Sequence, residues 1–543
     1  MPDSETTEST VTPQYWGHNP NPITDQESIS VYSNMNMNGE NEIAAANFYE
    51  NADEKDDGNH LVPRPSTSPD DPLNWPWMKK HLVLLALIPG CLLSDWTLTW
   101  GTTVFQMQAP EWGMTIEQVS HSVGPGIFMQ GTGGLLAVPL CERYGRLPVL
   151  FYSQLLSLAS TLGATWAPSY ASFTAFRTLQ GLFGAPPQVI GLCIIHDLFF
   201  FRERARKVNV WAASFLVGPY LGPLISSLLL LRIGWREGFG VLAGFYGVSL
   251  GMVVLLGDET LFERRGLPLR DLVQSQAGSG EGVVGTRRGF EVGRQVRLLV
   301  GVEGWRRAGG RPSMWRVWRD LCALWKRPYL VLPTFFWVTP MTMFTIGMVA
   351  TISQFVLPPV EAGGYGFSLV ALAMLYFAPI VGTLVAEAWG HWFNDFLARR
   401  YMARFGFECR LTAAYPAVIV GAAGLVLFGQ TLEHHLSWVG LAFGWGMLCF
   451  STLANMTAVS AYLLDCLPRH AALTGAWLNF GRVVGGFTVA YFQVPWVQRN
   501  GPALSFGSQG VVTIGASFVI IATQVWGKRW RAKFPAPSGG ETS

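Results

Sequence analysis

The sequence predicts an all-α polytopic membrane protein with twelve transmembrane helices in two six-helix bundles. Three observations predict it. Half of the residues are hydrophobic and only 14% are charged, against about 25% in a soluble domain. Apolar runs long enough to cross a hydrocarbon core of about 30 Å, roughly 20 residues of helix, recur along the chain. The Lys and Arg between these runs fall almost entirely on alternate sides, the bias that orients membrane proteins.

The elements follow in order. Residues 1–78 read as a disordered acidic leader rich in Ser, Thr, Asn and Pro, with no periodic apolar face. It ends in Trp75-Pro76-Trp77 ahead of Lys79 and Lys80, an aromatic and basic anchor for the membrane surface. Six runs near 81–104, 119–140, 148–166, 171–195, 208–230 and 237–256 make an N-terminal bundle, 79–256. A basic central loop, 257–328, carries Arg264, Arg265, Arg287, Arg288, Arg306 and Arg307. Six more runs near 329–353, 367–389, 410–430, 437–464, 472–494 and 502–526 make a C-terminal bundle, 329–526, before a tail, 527–543.

With the N-terminus in the cytosol, the inner loops hold Arg143 and Arg146, the 202–207 cluster, Arg399, Arg400, Arg404 and Arg469. The central loop and the tail residues Lys528, Arg529, Arg531 and Lys533 are inner too. Arg232, Arg236 and Arg499 are exceptions on the outer side. Both termini are therefore expected in the cytosol.

Composition and motifs exclude several classes. A net charge of +2 suggests no nucleic-acid partner, and the seven Cys show no metal-ligand or disulfide spacing. Gly280-Glu281-Gly282-Val283-Val284-Gly285 matches a dinucleotide fingerprint but follows no strand. No phosphate-binding Lys-Ser/Thr loop and no catalytic cluster is present, so neither an enzyme nor a cofactor is expected.

A charge inside a span is costly and needs a reason, about 2.5–3.5 kcal/mol on insertion scales. Asp95 lies deep in run 1. It is either a cation or proton site facing a cavity, or a carboxylate held by Ser and Thr neighbours for packing. Arg177 and Gln180 share a face of run 4. Arg177 is either a coupling residue or one snorkelling to the surface, and Gln180 either holds the guanidinium or lines the cavity. Glu387, near the inner end of run 8, is a proton carrier or the partner of an inner-loop Arg. Asn479 and Arg482 of run 11 project together. They suit a polar cavity wall, or Arg482 tethers Asp465 or Glu142 when the inner side is closed. His196 and Asp197, where run 4 meets the cytosol, read as solvated end residues. Glycines in runs 2 and 11 let helices approach closely. Gly218-x-x-x-Gly222, interrupted by Pro219, predicts a kink in run 5.

The halves share a landmark. Glu142-Arg143-Tyr144-Gly145-Arg146 follows the second run, and Asn394-Asp395 through Arg399-Arg400 follows the eighth. With 140–147 as Leu-Cys-Glu-Arg-Tyr-Gly-Arg-Leu, the chain resembles the major facilitator superfamily. That family's loop after helix 2 reads Gly-x-x-x-Asp-Arg-x-Gly-Arg-Arg/Lys. Here Glu142 replaces the usual Asp and Leu147 a basic residue. Arg177-Thr178-Leu179-Gln180-Gly181, Gly218-Pro219-Tyr220-Leu221-Gly222-Pro223, Gly234-Trp235-Arg236 and Asp71-Pro72-Leu73-Asn74-Trp75-Pro76 are similar to motifs of its fungal drug:proton antiporter branch. The resemblance covers about 70–530. It implies a monomeric secondary transporter working by alternating access, with helices 2 and 11, and 5 and 8, facing each other across the halves. It further implies proton-coupled efflux of small organic molecules at a surface membrane, in which protonation of Asp95 or Glu387 would release a cation or reset the empty carrier and Arg177 would bias those carboxylates. Glu142, Arg143, Gly145 and Arg146, with Asp395 and Arg399, would be the inner gating loops. Small-molecule substrate, protons and the lipid bilayer are the implied partners. An importer of polyamines or other cations is the alternative direction, and a channel or non-transporting receptor the alternative class.

Overall fold

The computed structural model describes residues 65–66, 68–262, 292–467 and 470–537. The expectation for residues 1–64 and the Gly-rich 280–285 segment lie outside the described residues. The secondary structure there is helical, in twelve long elements. In the N-terminal half these are α1 (Trp77–Thr103), α2 (Gly124–Tyr144), α3 (Arg146–Thr165), α4 (Tyr170–Leu198), α5 (Phe201–Leu229) and α6 (Trp235–Leu256). In the C-terminal half they are α7 (Pro328–Val356), α8 (Leu369–Phe405, with a turn at Tyr376), α9 (Ala414–Glu433), α10 (Trp438–Cys466), α11 (Ala471–Asn500) and α12 (Pro502–Lys533). The face that carries the linker between α6 and α7 is termed the linker face, and the opposite one the far face.

Ten of the described helices are long and apolar enough to cross a membrane; α2 and α11 are the two of the twelve that fall short. Their faces explain this. They pack on each other across the two halves, and glycines replace the bulky apolar residues that lipid-facing helices carry. A Cβ on Gly131 would lie 2.8 Å from Phe480 and Val483, and one on Gly124 2.9 Å from the Tyr491 hydroxyl. The other cross-half seam joins α5 to α8.

Prolines shape α4 more than α5. Pro186 and Pro187 break α4 into Tyr170–Gly184 and Pro186–Leu198, because two successive donors are missing. The freed carbonyls find other neighbours: Gly184 O accepts from the Ser94 hydroxyl, and Leu182 O sits where a Cβ on Gly133 would be, 2.1 Å away. In contrast α5 runs as one helix through Pro219 and Pro223. Gly218 and Gly222 serve close approach. Cβ atoms there would lie 2.7 Å from Leu92 O and 2.6 Å from Trp96 O, both on α1. The pattern expected to kink run 5 thus also makes a contact face within the N-terminal half.

Among the twelve long helices the tightest backbone approach is between α2 and α4, where a Cβ on Gly181 would lie 1.9 Å from Gly126 O. Gly181→Ala is expected to destabilise the N-terminal half by about 3 kcal/mol, the upper range of overpacking. A lower thermal midpoint in detergent checks this; an unchanged midpoint would show that the two backbones separate freely.

Two segments are more ordered than the sequence suggested. The end of the leader folds: Asp71 is fully buried and accepts hydrogen bonds from Ser66 N (2.9 Å) and Leu73 N (3.0 Å). Lys80 donates to Leu73 O at 2.9 Å. The reason is local, since Asp71 caps the turn Pro72–Asn74 and Trp75 joins a core cluster with α1 and α3. The central loop also contains helices over Val292–Val300, Val302–Arg307 and Met314–Leu324. Val317, Leu321 and Leu324 pack between Leu135 and Val138 of α2 and Leu473 and Leu478 of α11. Trp477 of α11 donates to Leu321 O at 2.9 Å.

Candidate functional site

The two halves meet at a buried polar cluster. Asp95 on α1 faces Arg482 on α11, with Arg482 Nη1 3.1 Å from Asp95 Oδ2 and Nη2 3.3 Å from Oδ1. Asp95 is 5% exposed and Arg482 8%. Gln130 of α2 donates to Asp95 Oδ1, and also to Gln188 Oε1 of α4 at 3.3 Å. Arg482 Nη2 further donates to Gln188 Oε1 (3.2 Å) and Asn479 Oδ1 (3.1 Å). The Arg482 carbonyl accepts from Thr342 of α7 at 2.7 Å. A buried ion pair persists only where its remaining donors and acceptors are also satisfied, and the glutamines and Asn479 do that here.

Position in the helices explains the convergence. Asp95 lies past the middle of α1, where Gly218 lets α5 come close; a Cβ on Gly218 would be 3.6 Å from the Asp95 Cβ. On α11, Asn479 and Arg482 are three residues apart and share a face. On α2, Gly134 leaves room for Asn479, whose Nδ2 would be 3.0 Å from an added Cβ.

The cluster forms one wall of a cavity of about 90 Å³. Asp95, Gln130 and Arg482 line it beside Thr99, Thr342, Thr345, Thr383 and Thr452, Tyr220 and an apolar remainder that includes Ile127, Leu216, Ile346 and Met456. Tyr220 of α5 donates to Cys449 Sγ of α10 at 3.2 Å, again across the halves. On the far face, the halves are joined by Ser353 donating to Thr102 O at 2.7 Å.

Arg177 belongs to a different arrangement. It is 1% exposed, so it does not snorkel. Its guanidinium donates to Thr97 O and Leu98 O of α1 at 2.5 Å each, and to Gln180 Oε1 at 3.2 Å. Gln180 in turn donates to Thr161 of α3 at 2.9 Å, so it holds the guanidinium and does not line the cavity. The expectation that Arg177 biases the carboxylates meets a different geometry. The α-helical part of α1 ends at Trp100, and the Gly101 N–H turns back to Thr99 O, leaving carbonyls of the last turn for Arg177 to satisfy. A cation is also favoured at that end of a helix. Glu387 is half-buried on α8, one turn beyond Thr383 and outside the cavity lining.

The tether expected between Arg482 and Asp465 or Glu142 is not formed, because Arg482 points to mid-span and pairs with Asp95. Asp465 pairs with Arg410 instead. The gating loop is likewise organised within one half. Arg146 pairs with Asp197 at the end of α4, so Asp197 is not merely a solvated end residue. Gly145 (φ +108°) turns the chain between α2 and α3, and a Cβ there would meet Glu259 Oε2 at 2.3 Å. Arg143 contributes its carbonyl, which accepts from Arg311 at 3.2 Å, while Glu142 is half-buried at the end of α2. Asp395 and Arg399 fall in α8, and their side chains lie outside the described residues.

Three charged residues gained places that sequence reading missed. Glu259 accepts from Arg146 N (3.0 Å), Leu147 N (3.2 Å) and Leu261 N (2.9 Å), capping α3 from beyond α6. Arg531, expected only as one of the inner-side tail residues, is buried and paired with Glu408. Apart from Leu261, their partners lie over 100 residues away in sequence, so local pattern holds no signal for them. Gln130 and Gln188 did carry one, as amides inside apolar runs.

Burial raises the Glu259 carboxyl above its ordinary 4.5, against the lowering effect of the three backbone N–H groups and Arg146. A raised folded value means the folded state holds this proton more tightly than the unfolded one. Its contribution to stability is therefore full below the ordinary value and lost as pH rises through the raised one. Glu259→Gln is expected to flatten the thermal midpoint against pH in that window. An identical profile in variant and parent would overturn it.

Comparison with known proteins agrees with this architecture. The family model described as Major Facilitator Superfamily matches residues 85–490. Efflux pump radE of Floropilus chiversii is 25% identical over 463 residues, 81% of this chain and 80% of that protein. The MFS-type transporter penM of Penicillium rubens is 24% identical, covering 74% and 76%. Quinidine resistance protein 3 of Saccharomyces cerevisiae is 20% identical, covering 93% and 91%. The fold is similar to the partially occluded inward open conformation of the xylose transporter XylE from E. coli, with a TM-score of 0.52 at 13% identity, over 82% of this chain and 99% of that one. A twelve-helix chain of two halves, with a polar cavity between them and this match over most of its length, belongs to the Major Facilitator Superfamily of transporters.

Proposed function

We propose that this transporter couples proton movement to the efflux of small, partly hydrophobic organic molecules by alternating access. The observation that carries the reading is the Asp95–Arg482 pair, which joins the halves at the wall of the central cavity. Protonation of Asp95 removes the charge that holds Arg482. The α1–α11 contact then loosens, and the halves can rock about the cavity. Efflux is supported by the names of the relatives, an efflux pump and a resistance protein among them.

The cavity also narrows the cargo. Its carboxylate is already matched by a guanidinium and an amide, and the rest of its wall is threonine and tyrosine hydroxyls, a thiol and apolar groups. An uncharged amphipathic molecule with hydrogen-bonding groups fits that wall without breaking the pair, whereas an organic cation must first displace Arg482. In this reading the chain works as a monomer in the plasma membrane, and the basic linker face supports a cytosolic placement of both termini.

The test uses purified protein in proteoliposomes with an imposed pH gradient. Labelled neutral amphipathic compounds and organic cations are offered in parallel. Gradient-driven accumulation that a protonophore abolishes supports the reading. Counterflow without pH dependence makes the protein a facilitator, and no counterflow with any compound makes it something other than a carrier of this cargo.

A further inference from the structure

The helix Val292–Val300 in the linker has two faces of different fate. Leu298 and Leu299 enter the core cluster formed by Leu147 and Leu150 of α3 with Trp75. Gln295 fastens the helix to the end of α6, donating to Val254 O at 3.0 Å and Gly257 O at 2.8 Å. On another face, Val292, Val296 and Val300 stand 66%, 52% and 48% exposed. Their spacing of four residues makes one stripe. An apolar stripe left open on a short helix needs a cover other than water.

Three observations say what covers it. The helix that carries the stripe is fastened to the apolar end of α6, where Leu255 is exposed next to Val254, whose carbonyl Gln295 holds. Basic residues border it, with Arg297 and Arg306 exposed and Arg294 half-buried. Trp305 at 72% and Trp315 at 78% exposure follow on the next two linker helices, and Trp is the side chain that settles at a bilayer boundary. A charged amphipathic helix that carries Arg and Trp and lies beside spanning helices has the make-up of an interfacial element.

We propose that the Val292–Val300 helix lies in the headgroup region of the adjoining leaflet, with its valine stripe toward the acyl chains and its arginines on anionic lipid headgroups. The linker thereby anchors the linker-face end of α3 and α6, next to the Glu259 cap. The proposal rests on the membrane placement of the spans and not on the direction or coupling of transport.

The experiment places a bimane label at Val296→Cys in a Cys322→Ser background of the full chain. A control label sits at Gly309→Cys, an exposed linker position with open space around it. Both are reconstituted in phosphatidylcholine vesicles with and without phosphatidylserine. Brominated acyl chains are expected to quench the label at 296 and not at 309, and more strongly with phosphatidylserine present. Each arginine near an anionic surface adds a roughly fivefold preference, about 1 kcal/mol. Arg294→Gln with Arg297→Gln and Arg306→Gln is therefore expected to remove the dependence on phosphatidylserine. Quenching of 296 by aqueous iodide as readily as 309 would overturn the proposal, as would protection from both quenchers, which would mean a protein covers the stripe. Lipid quenching that ignores phosphatidylserine would overturn the anionic-headgroup part. Transport is not read out, so a failed coupling mechanism leaves this result standing.

Discussion

Asp95→Asn is expected to abolish gradient-driven transport while leaving residual counterflow. The substitution keeps the shape of the side chain and its capacity to accept from Gln130, but it leaves the Arg482 guanidinium buried without a counter-charge. Breaking one partner of a buried pair costs about 3–5 kcal/mol, because the other charge stays uncompensated. Arg482→Gln leaves the carboxylate in the same position, with a similar loss. The double variant removes both charges and is expected to recover most of the thermal midpoint, since a neutral pair of similar volume is tolerated. It should not recover proton coupling. That split separates a structural pair from a coupling pair. A double variant that transports with unaltered pH dependence would exclude Asp95 from proton movement.

Arg177→Ala is expected to produce the second large effect, through stability and not through coupling. Its guanidinium satisfies two carbonyls in the last turn of α1 and holds Gln180 in place. Hydrogen bonds to a charged group contribute about 1.5–3 kcal/mol each, so losing the two carbonyl bonds costs about 3–6 kcal/mol. Arg177→Lys keeps the charge at the helix terminus but not the fork that reaches both oxygens. Its midpoint should fall between those of the parent and Arg177→Ala. If lysine matches alanine, the charge at the end of α1 contributes nothing. If alanine matches the parent, the carbonyls find other donors and the cap is dispensable.

Much of this architecture was legible in the sequence because a bilayer imposes a length on every span. The runs near 237–256 and 437–464 needed only that ruler, and the helices Trp235–Leu256 and Trp438–Cys466 match them closely. Asp95 and Arg482 stood out because charge inside an apolar run is costly. Their partnership did not, since 387 residues separate them and nothing local marks which helices touch. The same holds for Arg531, which in sequence is one more cation of the inner-side tail beside Lys528, Arg529 and Lys533. The linker helix Met314–Leu324 could have been found. Val317, Leu321 and Leu324 recur at helical spacing, a signal masked by the surrounding arginines.

The pairing of α2 with α11 has a consequence for how the protein is made. Each presents glycines and polar groups, Gln130 and Gly131 on one and Asn479 and Arg482 on the other, that are suited to a helix and not to lipid. Yet about 330 residues separate the end of α2 from the start of α11, and synthesis proceeds at roughly 5–20 residues per second. For roughly 16–65 seconds at that rate, α2 waits in the nascent chain with its seam unmatched and Asp95 without its cation. The N-terminal half is therefore incomplete during translation, with a polar seam that stays unmatched until the eleventh helix arrives.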